Sequence, residues 1–111
     1  MQEFTAVLML TSTVFALAGG AMRCFPPKRI NSIYGYRTTR SMRSQEAWDF
    51  AQRMSANWML GLASIYIVAA VILWSIGDLP AWVTIFFTIS LVITLVVMIW
   101  RVERALKRKF S

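Results

Sequence analysis

The chain has 111 residues, of which 58% are hydrophobic and 15% charged, and its twelve basic and five acidic residues give a net charge of +7. A soluble domain is nearer half apolar and a quarter charged, so this composition is typical of a membrane protein. Without histidine and with one cysteine, the chain cannot form an internal disulfide and offers little for a metal centre or a nucleophilic triad. We therefore expect a protein that is not an enzyme and holds no cofactor.

Three uncharged apolar stretches cover about residues 4–22, 56–77 and 81–100. Each is long enough, as a helix, to cross the roughly 30 Å hydrocarbon layer of a bilayer. Backbone amides inside lipid must be satisfied within the protein, and helix is the only form in which three segments alone can achieve this. The spans are therefore helices rather than strands. The sequence predicts an all-α membrane protein with three transmembrane helices in a single membrane domain over residues 1–111.

The first span has an alternative interpretation, because Ala16-Leu17-Ala18 resembles a signal-peptidase site. The segment before it carries Glu3 in place of a basic residue, and cleavage would export the basic loop that follows. A transmembrane helix is therefore the favoured interpretation of this segment.

Every basic residue lies in one of two segments, the loop 23–55 and the tail 101–111. Since short loops rich in lysine and arginine stay in the cytoplasm, both segments are predicted to lie on the cytoplasmic side of the membrane, with the N-terminus and Asp78 outside. Tryptophan prefers the headgroup level. The tryptophans agree with this orientation, two at the inner boundary and two at the outer: Trp58, Trp100, Trp74 and Trp82.

Local signals place the connections around the second span. Gly77 can end that helix and Pro80 can open the next, which predicts a tight turn between two antiparallel neighbours. Ser44 can cap an amphipathic helix that presents Trp48 on one face and leads into the second span. The tail has an apolar edge and is predicted to form a helix lying on the membrane surface.

Small and polar residues form a stripe on each of the first two spans. Because lipid provides no hydrophobic drive for helix association, such stripes are typical of close packing faces. We predict that the two faces meet, with Ser12, Ala16 and Gly20 on the first span and Asn57, Gly61 and Ser64 on the second. The alternative for any single hydroxyl is a bond to a carbonyl of its own helix.

A cluster in the loop is the predicted partner or ligand site: Tyr34, Gly35, Tyr36, Arg37, Thr38, Arg40 and Trp48. Aromatic rings beside guanidinium groups can hold lipid headgroups, peptide carboxylates or a partner loop. The alternative is that Arg37 only caps carbonyls of an irregular loop while Trp48 anchors the interface. The prolines of Pro26-Pro27 rule out a continued helix here.

The same loop resembles the signature of the SdpI family of bacterial integral membrane proteins, over roughly residues 20–100. The resemblance rests on Pro26-Pro27-Lys28, Asn31, Tyr34-Gly35-Tyr36-Arg37-Thr38, Ser41-Met42, Glu46 and Trp48. Thr39 departs from the family pattern, in which proline commonly follows the Arg-Thr pair. The founding type of member also carries extra membrane helices ahead of this unit.

The resemblance implies an immunity-like role, in which the protein protects the membrane from a secreted peptide toxin and binds a regulator at the inner surface. A small accessory subunit of a larger membrane complex or transporter is the alternative. Anionic lipids of the inner face, a peptide toxin, a membrane protein and a second copy of the chain are the expected kinds of partner, and nucleic acid is not. A proton-coupled exporter is disfavoured because the spans contain no ionisable group of the kind such coupling needs.

Overall fold

The structure, a computed structural model, describes residues 2–110 except for the side chains of Gln2, Phe4 and Thr84. Three helices follow one another: α1 (Gln2–Cys24), α2 (Gln45–Ile76) and α3 (Ala81–Phe110). All three are long and apolar enough to cross a membrane. No strand occurs among residues 2–110, and the predicted all-α class with three candidate spans is confirmed.

The signals that separate the helices behave as predicted. Ser44 is the N-cap of α2, and its side chain accepts a hydrogen bond from the amide of Ala47 at 3.0 Å. Gly77 ends α2 with φ of +95°, and its N–H donates to the carbonyl of Trp74 at 3.2 Å. α3 begins directly after Pro80. The short turn forces α2 and α3 to run antiparallel as neighbours.

α2 and α3 are longer than a bilayer requires. With 32 and 30 residues they extend about 48 and 45 Å at 1.5 Å per residue. The predicted amphipathic helix before the second span is the first part of α2, with no break between them.

One end of the molecule carries the loop of residues 25–44 and the last turns of α3. We call it the basic end.

The tail continues α3 instead of forming a separate helix on the surface, so that prediction is wrong. Its apolar edge turns inward, where Val102 and Leu106 are buried against Ala47 and Ala51 of α2. The ring of Phe110 packs edge-on against Phe50, with centroids 5.8 Å apart. The tail therefore buries its apolar edge against protein, which leaves that edge unavailable for lipid.

A second cluster lies nearer the turn between α2 and α3, where Leu8, Ala70, Leu73 and Leu91 are buried. Tyr66 joins this cluster and its hydroxyl shares a 2.5 Å hydrogen bond with that of Ser90. Within an apolar span a polar group needs a hydrogen-bond partner, and here the neighbouring helix supplies it. This bond fixes the register of α2 against α3.

The predicted contact between α1 and α2 exists, but on a different face of α2. Within residues 56–76 of α2 the buried small residues are Ala56, Ala63 and Ala70, whereas Gly61 and Ser64 are exposed. At about 100° per residue, Gly61 and Ser64 point roughly 100–160° away from Ala63. A Cβ atom built at Gly61 would meet nothing within 4 Å. The expectation that Gly61 and Ser64 line this contact is therefore wrong.

On α1 the prediction holds more closely. Ser12 is fully buried and Ala16 partly so. Gly19, not Gly20, makes the closest approach, since a Cβ there would lie 3.0 Å from the Cβ of Met59. The hydroxyl of Ser12 donates to the carbonyl of Leu8 within α1, and Ser64 likewise donates to Leu60. The hydroxyls of Ser12 and Ser64 thus bond carbonyls of their own helices. The close approach of α1 and α2 depends on the small size of the residues between them.

We expect Gly19→Ala to destabilise the helix pair by about 1–3 kcal/mol, because the added methyl collides with α2. Beyond Met59, the new Cβ would lie 3.2 Å from the backbone nitrogen of Leu60, which cannot rotate aside. Gly61→Ala is the matched control on the open face, where alanine should be neutral or stabilising. Thermal unfolding in detergent micelles measures both variants, and equal effects would contradict this packing.

Candidate functional site at the basic end

The loop of residues 25–44 is folded onto itself. The Asn31 side chain accepts hydrogen bonds from the amides of Ile33 at 2.9 Å and Tyr34 at 2.7 Å. Such a turn, in which asparagine replaces a backbone acceptor, organises irregular chain without a helix or strand. The Tyr34 hydroxyl donates to the carbonyl of Phe25 at 2.9 Å, which closes the first half of the loop.

Gln52 of α2 holds the centre of the loop. Its Oε1 accepts from the amide of Tyr36 at 2.6 Å, and its Nε2 donates to the Tyr36 carbonyl at 2.7 Å. The side chain is 2% exposed, so both of its polar ends are satisfied in a buried setting, as stability requires. Gly35, with φ of +110°, places Tyr36 in this pairing.

Trp48 anchors the other side of the loop. It is fully buried, and its indole nitrogen donates to the carbonyl of Pro27 at 2.6 Å. Proline has no amide hydrogen, but its carbonyl remains an acceptor and here closes the gap between the start of the loop and α2. Trp48 therefore packs between α2 and the loop with no exposed surface, contrary to the expectation that it anchors the membrane interface.

Ser41 and Thr38 close the second half of the loop by a reciprocal pair of bonds. Ser41 Oγ accepts from the Thr38 amide at 2.8 Å, and the Ser41 amide donates to Thr38 Oγ1 at 3.2 Å. Ser41 is fully buried, and its Oγ also lies within hydrogen-bond distance of the Tyr36 carbonyl oxygen, at 3.1 Å. The second half of the loop is thus as tightly organised as the first.

Glu103 joins the loop to α3. Its Oε2 accepts hydrogen bonds from the Tyr36 hydroxyl and from Thr38 Oγ1, each at 2.9 Å. Burial raises the pKa of Tyr36 above its ordinary value, and the hydrogen bond to Glu103 and its negative charge raise that pKa further. The phenol therefore stays protonated as a donor at neutral pH.

The Tyr36–Glu103 bond should make loop docking sensitive to alkaline pH. A tyrosine whose pKa is higher in the docked state contributes its full stabilisation below the undocked pKa, about 10, and loses it progressively above. Tyr36→Phe should weaken docking by about 1.5–3 kcal/mol at neutral pH, since the bond is to a charged acceptor.

Trypsin cleavage in the loop, measured against pH in detergent micelles, tests this expectation. The cleavage rates of wild type and Tyr36→Phe should converge above pH 10. Tyr34→Phe is the matched control, because the Tyr34 hydroxyl bonds a neutral acceptor, the carbonyl of Phe25. A constant difference between wild type and Tyr36→Phe across that range would contradict the proton-dependent bond.

The predicted cluster is assembled only in part. Tyr36 and Thr38 meet at Glu103, while Gly35 and Trp48 contact Gln52 and Pro27 respectively. Arg37 is exposed and donates to the carbonyl of Ser32, within the loop itself. This is the alternative role stated above, in which the arginine caps loop carbonyls.

Arg40 borders a cleft on the α3 side whose lining does not include Arg37. This cleft holds about 690 Å³ and is also lined by Trp100, Glu103, Arg104, Lys107 and Arg108. The guanidinium groups of Arg101 and Arg104 lie 5.8 and 5.2 Å from the Trp100 ring centroid, within the range of cation–π attraction. The two arginines of the predicted cluster therefore belong to different surfaces.

Sequence reasoning missed Gln52, Glu103 and Ser41, although they hold the site together. Glu103 is the one acid among the five basic residues of 101–111, and this isolation was the available signal for a specific partner. Gln52 gave no such signal, because a glutamine on an amphipathic helix is ordinarily solvated. No group of three or more potential metal ligands occurs among the described residues.

Residues 28–101 match the model of the SdpI/YfhL protein family. The chain belongs to this family. The match covers the loop from Lys28 onward, α2 and most of α3, and Glu103 lies just beyond it. With three helices able to cross a membrane, this SdpI-family chain is a multi-pass membrane protein of an immunity-type, non-enzymatic family.

A relative in Bacillus subtilis (strain 168) bears the name "Uncharacterized protein YfhL". It is 54% identical over 44 residues, a segment that covers 40% of this chain and 40% of the relative. The aligned part thus spans less than half the length of the relative. No solved structure is significantly similar to this SdpI-family chain.

Proposed function

We propose that this protein protects the membrane it spans against a membrane-active peptide toxin, and that its basic end binds a regulator. The match to the SdpI family over residues 28–101 carries the proposal, because it includes the loop together with both helices on which the loop is folded. The bonds of Tyr36, Thr38 and Glu103 support it, since a rigid loop presents its exposed side chains in fixed positions.

The proposed orientation places the basic end in the cytoplasm of a bacterial cell and the turn at Asp78 outside. The cytoplasmic retention of short basic loops supports this orientation, since the twelve basic residues all lie at the end of α1, in the loop, in the first turns of α2 or at the end of α3. Cys24 is exposed, so an impermeant maleimide should miss it in intact cells and label it after lysis. Asp78→Cys in a Cys24→Ser chain should label in intact cells, and the reverse pattern would refute this orientation.

Arg37 is the position that best tests the protective role. Its guanidinium reaches the Ser32 carbonyl from an exposed position and retains donors for a partner. Lysine keeps the charge but loses the planar set of donors. Cells that express Arg37→Lys or Arg37→Ala should therefore survive challenge with a membrane-active peptide toxin less well than wild type at matched protein levels.

The matched controls are Arg43→Lys and Arg43→Ala, which change an exposed arginine of the same loop. Equal survival of the Arg37 variants and wild type would count against a protective role for this loop. Failure of the wild-type chain to protect any cell would reject the proposed function as a whole.

The exposed groove on α2 favours a second candidate function, that of an accessory subunit. Asn57, Trp58, Gly61, Leu62 and Ile65 line this groove, and Gly61 leaves room for close approach of another helix. An accessory subunit should lose its partner complex on Gly61→Leu, whereas toxin protection by the chain alone should be unaffected. Protection that needs no second protein would decide for the first candidate.

A further inference from the structure

A cleft at the basic end lies in the corner between α1 and α2. α1 ends at Cys24, where Arg23 donates to the side chain of Asn57 on α2. From that level α2 runs on for a further 12 residues, 45–56, or about 18 Å beyond the end of α1. The cleft holds about 580 Å³, a size at which small-molecule sites ordinarily occur.

The charged residues that line this cleft are mainly cationic. It has three cations against one carboxylate, Arg23, Lys28 and Arg53 against Asp49. The carboxylate is engaged locally, because Asp49 Oδ1 accepts from Gln45 Nε2 at 2.8 Å. All three cationic side chains are exposed, so their remaining donors can turn toward an anion in the cleft. Two guanidinium groups and an ammonium are the groups that proteins use to bind phosphate.

The lining also includes two amide side chains, of which Gln52 is paired with Tyr36 and Asn57 accepts from Arg23. The rest of the lining, Met22, Pro26, Pro27 and Ala56, is apolar, which distinguishes this cleft from a site for a free ion. Phe25, the neighbour of Pro26, is 78% exposed, and an exposed aromatic ring at the end of a membrane span suits the level of the lipid headgroups. The apolar part and the cations together match a ligand with a phosphate ester and an attached hydrocarbon.

We propose that this cleft binds the phosphodiester headgroup of an anionic phospholipid, with Arg23, Lys28 and Arg53 as its ligands. α1 is a candidate span over Thr5–Cys24 and ends beside this cleft, so a lipid of the adjacent leaflet should reach the cleft without leaving the membrane. The cations on the α3 side border a different cleft and Arg37 is turned to Ser32, which makes this a separate site. The proposal goes beyond toxin protection and does not depend on it.

The test uses the full chain in nanodiscs of mixed phosphatidylglycerol and phosphatidylcholine. Wild type should retain phosphatidylglycerol in native mass spectrometry, and Arg23→Gln/Arg53→Gln should retain it at least about tenfold more weakly, since charge-assisted bonds are lost. Arg29→Gln/Arg43→Gln removes the same charge from exposed positions outside the cleft. Retention by this control should match wild type.

Equal loss in both double variants would overturn the proposal in favour of diffuse electrostatic attraction, and so would the absence of retention by wild type. Glycerol phosphate, titrated into the chain in neutral detergent, is the arm for a soluble ligand, and binding as tight as that of the lipid would overturn the lipid assignment. If Arg23→Gln disturbs folding through Asn57, Lys28→Gln/Arg53→Gln replaces the first variant, with the same expected loss.

Discussion

Trp48→Ala should release the loop from α2 and raise trypsin cleavage within it by about a hundredfold or more. Trp48 is fully buried and bonds the Pro27 carbonyl, so alanine leaves a large cavity and an unsatisfied acceptor. Removal of a buried tryptophan costs about 3–5 kcal/mol, and each 1.4 kcal/mol changes an equilibrium tenfold. The cleavage sites inside the loop are Lys28, Arg29, Arg37, Arg40 and Arg43.

Cleavage reports the equilibrium of loop opening when opening and closing are fast relative to proteolysis. Trp82→Ala is the matched control, because this tryptophan is 69% exposed and lies at the other end of the molecule. A loop equally resistant in Trp48→Ala and wild type would show that Trp48 does not hold it. The helices should persist in both variants, as measured by circular dichroism, because the effect is on docking.

The features that the sequence predicts well are those set by nearby residues. Ser44 caps α2 through an amide three residues away, and Gly77 with Pro80 makes the turn between α2 and α3. The three uncharged stretches are enough to predict the three helices, because helix is the only form in which so few segments can cross a bilayer. These signals depend on local geometry and on the solvent, and neither requires knowledge of the tertiary contacts.

The contact face of α2 depends on the tertiary packing, and the sequence prediction of this face is wrong. The small-residue pattern favours glycine and serine as packing residues, yet Ala56, Ala63 and Ala70, spaced seven residues apart, provide the buried small face. Both stripes are small enough for close approach, so residue size alone does not choose between them. The choice depends on where α3 lies, and Tyr66 with Ser90 fixes that position.

The contacts at the centre of the candidate site also depend on tertiary packing, because they join residues that are far apart in the sequence. Glu103 is 67 residues from Tyr36 and 65 from Thr38 along the chain. The sequence predicts the loop residues as a cluster because they are adjacent, but the acceptor of Tyr36 and Thr38 lies on α3. The structure also separates Arg37 from Arg40, which proximity in the sequence groups together.

The backbone at Gly35 makes this position the most restrictive in the loop. Its φ is +110°, and a Cβ atom there would lie 2.6 Å from Gln52 Oε1 and 2.8 Å from Pro27 Cγ. Alanine should thus incur both backbone strain and a collision with the side chain that pairs with Tyr36. We expect Gly35→Ala to weaken loop docking by about 2–4 kcal/mol, from the strained φ and the lost Gln52 bonds together.

Gly77 separates these two causes, since its φ is +95° but a Cβ there would meet nothing within 4 Å. Gly77→Ala should lower thermal stability by about 1–2 kcal/mol through strain alone and leave trypsin cleavage of the loop unchanged. Gly35→Ala should raise that cleavage about tenfold to a hundredfold or more, by the conversion of 1.4 kcal/mol per tenfold. Gly35 carries the steric collision as well as the strain, so Gly35→Ala should have the larger effect. If Gly35→Ala lowers thermal stability no more than Gly77→Ala and leaves the loop resistant to trypsin, then Gln52 can move aside. The loop would then not be fixed by the pairing of Gln52 with Tyr36.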